Sequence, residues 1–183
     1  MGKLYNEITP EISEWVKKQH LFFVATAPLA EDSHINCSPK GLDSLRILGP
    51  NSVAYLDMTG SGAETIAHLR ENGRIVLMFC SFEGSPKIVR FHGIGEAIFP
   101  ISPKWTALQG IFPHYPGVRS VIRVEITRVS DSCGFGVPYF EFGGERDSLQ
   151  RWAETKGDKG LALYRNEKNT CSIDGLPALN LEE

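Results

Sequence analysis

Two short stretches carry residue types and spacings from which a binding site can be built. In "DMTGSGAETIAHL" (57–69) an apolar run gives way to Gly60 and Gly62, and then to a helical pattern. Ser61 and Glu64 stand in the S-x-x-E relation of a capping box, which predicts a helix beginning just after the glycine-rich turn. Free N–H groups and the positive dipole end at such a terminus attract anions. The hydroxyls of Thr59, Ser61 and Thr65 add donors suited to phosphate oxygens. Glu64 works against this, bringing negative charge to the same place, and a capped helix start that holds only water is the plain alternative. The second stretch is "HINCSPKG" (34–41). As a strand it sets Asn36, Ser38 and Lys40 on one face, opposite Ile35 and Cys37. An amide, a hydroxyl and an ammonium on one face suit a phosphorylated, hydrogen-bonding ligand. A solvent-facing strand surface is the alternative. Lys40 beside a phosphate would offset Glu64.

Other chemistries find little support. Gly93-Ile94-Gly95 begins a dinucleotide-type pattern, but Ile98 replaces the third glycine and no helix follows. The sequence has neither a G-x-S-x-G elbow nor a P-loop. The five histidines form no H-E-x-x-H or comparable pair and read as surface or structural residues rather than metal ligands. Cys37, Cys80, Cys133 and Cys171 are widely scattered, which argues against a zinc site or a disulfide framework. Cys37 and Cys80 read as small buried hydrophobes on strands.

These residues need elements to hold them. Thr9-Pro10 predicts a helix start, with Ile12, Trp15, Val16 and Gln19 at helical spacing. "LFFVATA", "HINCSPKG", "SLRIL", "SVAYLDM", "RIVLMFCSF", "KIVRFHGIGEAIF" and "VRSVIRVEITRVS" read as strands, mostly joined by hairpin-type turns. In the last of them Val121, Val124, Ile126 and Val129 do not keep one register, which points to a bulge. Short helices are expected at 102–112 and at "ERDSLQRWAETKG". The aromatics of "CGFGVPYFEF", Tyr139 among them, read as core or dimer packing, with a pocket wall as the alternative. Arg119 reads as an exposed strand-end arginine, with a ligand-facing role as its alternative. The pattern favours a mainly β fold, an antiparallel barrel with peripheral helices, over an alternating β-α-β sheet.

At 183 residues, 42% hydrophobic and with net charge −3, the chain is expected to be a single domain with a real core. It offers no electrostatic invitation to nucleic acid or anionic lipid. No signal-peptide pattern and no stretch of membrane-spanning length is read, so a cytoplasmic location is expected.

The order "N-x-S-P-K-G", then "Y-L-D", then "G-S-…-T-…-L-R-E-N-G-R-I-V-L-M-F" resembles the FMN-binding split-barrel family, whose name-giving member is pyridoxamine 5′-phosphate oxidase. The likeness covers roughly 20–130, leaving 131–183 as a C-terminal extension with a short helix. It implies a six-stranded antiparallel Greek-key split β-barrel, a homodimer and FMN at the subunit interface. Carried over by position, Lys40 and Ser61 would hold the phosphate. Asn36, Ser38, Asp57, Met58 and Thr59 would line the flavin, with Thr65 beside them. Two features depart from the oxidase. Gly62-Ala63-Glu64 stands where the oxidase has an Arg-Lys pair, which shifts weight to Lys40, with Arg90 and Lys87 as further candidates. The substrate-binding Arg-x-His segment has no counterpart. The resemblance therefore implies an FMN-dependent oxidoreductase acting on a small molecule other than pyridoxamine phosphate. A non-catalytic flavin- or haem-binding protein is the alternative, and His92 and His114 are the candidate axial ligands.

Overall fold

The computed structural model describes residues 2–180. Helix α1 (Pro10–Lys17) starts as its sequence predicts, with the Thr9 hydroxyl accepting from the Ile12 N–H at 3.3 Å and Ile12 and Val16 turned into the core. The strands that follow are β2 (Phe22–Thr26), β3 (Asn36–Lys40), β4 (Leu45–Gly49) and β5 (Ser52–Met58). After helix α2 (Glu64–Glu71) come β6 (Arg74–Cys80) and β7 (Ile88–Ile98), helix α3 (Trp105–Gln109), and strand β8 (Val118–Ser132). Helix α4 (Ser148–Lys168) closes the order, and β1 (Leu4–Tyr5) precedes α1.

All strands pair antiparallel in one sheet, in the order β3-β2-β6-β7-β8-β5-β4, with β1 on β8. The sheet has eight strands, not six. Seven of them match the seven strands read from the sequence. The eighth, the short strand β1, is drawn in by Asp131, whose carboxylate accepts from the Lys3 N–H and the Tyr5 hydroxyl. The path is open, with β3 and β4 as its two ends. β3 and β5 stand five places apart in that order, about 24 Å in a flat sheet at ordinary strand spacing. Yet Lys40 Nζ on β3 lies 3.7 Å from the Asp57 carboxylate on β5, and the Phe22 and Tyr55 rings of β2 and β5 meet edge to face. The sheet is therefore rolled until its inner face meets itself.

The roll encloses the main core. Val24, Tyr55, Leu77, Phe79, Phe91 and Val124 line it, and Ile66, Ala67 and Leu69 of α2 complete it. A smaller cluster lies on the outer face, where Phe112 with Trp105 and Leu108 of the α3 region cover Ala54, Leu56 and Val121.

Strand β8 carries the predicted irregularity twice. Gly93 pairs Ile126 while His92 pairs Arg128, so Thr127 is the inserted residue; Asp57 pairs Ser120 while Met58 pairs Val118, so Arg119 is another. Val121 faces outward opposite Val124 and Ile126 by ordinary alternation. The insertion at Thr127 turns Val129 to the same core face as Ile126, and the insertion at Arg119 puts Val118 with Val121 in the outer cluster. Helix α4 runs well past the expected short segment, with a break at Gly157 (φ 61°, ψ 175°) after which helical spacing resumes.

Candidate functional site

The bulge at Arg119 builds the centre of the site. An inserted residue re-aims its side chain, and here the Arg119 guanidinium turns inward to Asp57. Arg119 Nε donates to Asp57 Oδ2 at 2.7 Å and the Ser120 hydroxyl donates to the same oxygen at 3.1 Å. Arg119 is only 5% exposed, which corrects its reading as an exposed strand end. Asp57 is 1% exposed. Burial alone would raise its pKa, but the charges of Arg119 and Lys40, with the hydrogen bonds from Arg119 and Ser120, outweigh burial and hold the carboxyl below its usual range. Burial and the nearby Asp57 charge push the Tyr55 phenol well up, so it stays protonated.

Two cations thus share one carboxylate, leaving a surplus positive charge, and their donors are not used up. Arg119 Nη1 is buried without a hydrogen-bond partner. Lys40 reaches Asp57 only at ion-pair distance, beyond a good hydrogen bond.

Beside this group runs a chain of neutral donors and acceptors. In β3 the alternation is as read, with Asn36, Ser38 and Lys40 half-buried and Cys37 and Pro39 exposed. Register places the three opposite Thr26, Val24 and Phe22, so they share the inner face. Ser38 Oγ donates to Asn36 Oδ1 at 2.9 Å. Asn36 Nδ2 donates to Thr26 Oγ1 at 3.1 Å and to Thr65 Oγ1 of α2 at 3.0 Å. Thr26 Oγ1 in turn meets Nδ1 of the fully buried His68 at 2.9 Å. Asn36, Ser38, Lys40, Asp57 and Thr65 are therefore one connected neighbourhood.

The glycine hinge is arranged differently from its reading. Helix α2 begins at Glu64 after Ala63, with no side-chain cap, so Ser61 and Glu64 form no capping box and Ser61 is exposed. The Glu64 carboxylate instead accepts from the Ile173 N–H at 3.1 Å. Asn169 Nδ2 donates to the Gly60 carbonyl at 2.9 Å, and Asp174 accepts from the backbone N–H and ring nitrogen of His34. The segment after α4 therefore lies along the hinge. Thr59 donates through its hydroxyl to the Gly117 carbonyl at 2.7 Å and accepts from Arg165 Nε at 2.8 Å. Met58 packs in the outer cluster, across the strand from Asp57.

The further candidates lie elsewhere. Arg90 bonds Ser132 on the sheet face opposite to Val89 and Phe91, while Lys87 pairs with Asp131. Cys80 is buried but Cys37 is exposed, because the polar face of β3 is the inner one. Tyr139 is exposed, while Phe140 and Phe142 meet Phe82 and His20 in ring contacts. Among the described residues no group of three or more His, Cys, Asp or Glu is placed to hold a metal, and no helix is long and apolar enough to cross a membrane.

Sequence reasoning missed the roles of Arg165, Asn169 and His68 and the ion pair of Arg119 with Asp57, an inward, ligand-facing Arg119 being only the alternative reading. Each partner lies far along the chain, 62 residues away for Asp57 and Arg119 and 106 for Thr59 and Arg165. The only local signals were the broken alternation before Val121 and the four-residue spacing from Leu161 to Arg165.

Comparison with known proteins bears on this arrangement. The family description "Pyridoxamine 5′-phosphate oxidase" matches residues 8–133, which include every element of the rolled sheet except β1. The chain belongs to the pyridoxamine 5′-phosphate oxidase family. It is 40% identical to ustO of Aspergillus flavus, a pyridoxamine 5′-phosphate oxidase family protein, over 98% of this chain and 79% of that one. Two solved structures share the fold. HupZ of Group A Streptococcus superposes with a TM-score of 0.51 at 24% identity, over 67% of this chain and 91% of that one. A FAD-binding protein of Mesorhizobium loti gives 0.52 at 14% identity, over 72% and 96%. The antiparallel sheet with peripheral helices is thus the family's fold, and Lys40, Asp57 and Arg119 are this member's polar centre within it.

Proposed function

We propose that the protein binds a flavin, FMN in particular, and acts as a flavin-dependent oxidoreductase on a small molecule. The observation that carries this reading is the set of unused donors at Asp57. A buried guanidinium nitrogen without a partner is costly, and a phosphate oxygen is the acceptor type that suits both it and the Lys40 ammonium. The residues present therefore fit a phosphorylated cofactor. Family membership and the flavin-binding fold relative agree with it.

In this reading Lys40 and Arg119 hold the phosphate, while Asp57 fixes their positions and limits the positive surplus. Asn36, Ser38 and Thr65 offer hydrogen bonds to the polar edge of the ring system, and Thr59 and Ser61 border the entrance. Flavin, when bound, supplies the redox chemistry. No nucleophile or metal is then demanded of the chain. Glu64, turned to Ile173, no longer opposes an anion in the way its sequence position suggests. A homodimer with the cofactor at the subunit interface belongs to the same proposal, and the half-exposed face of β3 on an open sheet end is consistent with it.

The visible spectrum of the purified protein, with and without added FMN, tests this directly. A flavin spectrum or saturable FMN uptake supports the reading. A Soret band would replace it with haem binding, and a colourless protein that fails to take up FMN would overturn it. Anaerobic bleaching of bound flavin by NADH or NADPH then separates an oxidoreductase from a carrier.

A further inference from the structure

A cleft of about 590 Å³ lies between the α3 region and α4, and its wall reaches Thr59 through Arg165. That size is typical of a small-molecule site. Trp105, Tyr115 and Leu161 give it an apolar body, Arg165 stands in its wall, and Glu154 and Asp158 complete its lining from α4. Ala153 and Glu154 precede the break at Gly157 and Asp158, Leu161 and Arg165 follow it, so both halves of α4 line the cleft.

The charges in this cleft are organised. Arg165 is half-buried and held rigidly: Nε donates to Thr59, and Nη2 donates to the Val118 carbonyl at 3.2 Å. Nη1 makes no hydrogen bond among the described residues. Asp158, Leu161 and Arg165 follow one another at i, i+3 and i+7, on one face of the helix. At 1.5 Å per residue, Asp158 and Arg165 are about 10 Å apart along the axis, and the arginine side chain leans back toward the helix N-terminus and shortens that gap. A purely anionic ligand would meet two carboxylates, and a purely cationic one would meet Arg165. A molecule carrying both charges across an apolar body meets neither conflict.

We propose that this cleft is a second small-molecule site, for a zwitterion whose carboxylate pairs with Arg165 and whose ammonium faces Asp158 and Glu154, with its apolar body against Trp105 and Leu161. The site does not depend on the flavin reading. Arg165, Gly117 and Val118 of its lining also meet the Met58–Thr59 segment. The acids and the apolar wall it uses, Glu154, Asp158, Trp105 and Leu161, come from the α3 region and α4 and not from the Asp57 group.

Three probes with the same ring test it: 4-(aminomethyl)benzoate, 4-methylbenzoate and 4-methylbenzylamine, titrated into the protein as isolated and followed by NMR or calorimetry. The zwitterion should bind about tenfold more tightly than the amine, which lacks the charge-assisted bond to Arg165. It should bind roughly two- to fivefold more tightly than the benzoate, since the acids at the mouth are exposed and screened. Asp158→Asn, at an exposed position, should shrink the second preference and keep the first; Arg165→Gln, checked for an unchanged melting temperature, should abolish the first. Equal binding of the three probes, no binding up to 10 mM (roughly the weak-affinity limit), or an unchanged ranking in Asp158→Asn would overturn the proposal. Recording flavin absorbance in the same samples separates this outcome from loss of cofactor.

Discussion

Replacing Lys40 with alanine is the sharpest test of the proposed phosphate site. Its ammonium lies 3.7 Å from the Asp57 carboxylate with its side chain 22% exposed, so it is neither free in solvent nor locked in the core. Removing it does not strand a buried charge, because Asp57 keeps Arg119 at 2.7 Å and Ser120 at 3.1 Å. The fold should therefore lose at most about 1 kcal/mol, the upper range for a partly exposed ion pair. A phosphate held by Lys40 loses a charge-assisted hydrogen bond, about 1.5–3 kcal/mol, which corresponds to roughly a 10- to 150-fold weaker FMN complex. Riboflavin, which has the ring but no phosphate, should bind wild type and variant alike to within about twofold. Flavin-fluorescence titrations at fixed ionic strength measure both ligands side by side, with thermal unfolding as the control. Equal weakening of FMN and riboflavin, or no weakening of FMN, would refute the role given to Lys40.

Asp57→Asn should be far more damaging to the fold, since it leaves Arg119 buried opposite a neutral amide. A cost of about 3–5 kcal/mol is expected, read as a melting-temperature fall of roughly 6–20 °C, and Asp57→Leu combined with Arg119→Met should recover part of it. The acid limb of stability follows from the same carboxyl. Its folded pKa is depressed, so its contribution is fully present above the unfolded value near 3.9 and is lost as pH falls through the folded pKa. Chemical denaturation between about pH 6 and pH 2 should show that loss, and Asp57→Leu/Arg119→Met should flatten it. The His34 pKa is raised by its hydrogen bond to Asp174. That contact therefore helps below the unfolded value near 6.5 and fades as pH rises through the folded one. Amide exchange at 172–176, corrected for intrinsic rates, should quicken from pH 6 to pH 8.5 (a window spanning roughly the histidine range), and His34→Gln should remove the pH dependence. Gly117 has φ +80° and its carbonyl anchors Thr59; an added Cβ would stand 3.0 Å from Ala153 Cβ. Gly117→Ala should cost more than about 1 kcal/mol in denaturant unfolding, and a neutral result would contradict the close approach of Ala153 to Gly117.

Much of the frame was legible in the residues because local periodicity is local physics. The alternation of "HINCSPKG" placed Asn36, Ser38 and Lys40 on one face, and the structure keeps them there, since a strand's side chains alternate whatever it packs against. Thr9-Pro10 capped α1 for the same reason. The capping box at Ser61 was misleading because the pattern is permissive. Glu64 had a better use as acceptor for Ile173, 109 residues away, and only the fold could bring the two together.

What the sequence by itself determined was therefore the set of strands, their faces and the polar types gathered near the glycine hinge. Residue order and spacing also sufficed to suggest the family. The tertiary structure decided which charges meet. Rolling the sheet brought Lys40 of its end strand against Asp57, and a single inserted residue in β8 swung Arg119 from an apparent strand-end position into the core. The physical reason is that a buried charge is tolerable only beside its partner. Partnership of that kind is set by distance in space, which one residue of register can change and no local pattern records.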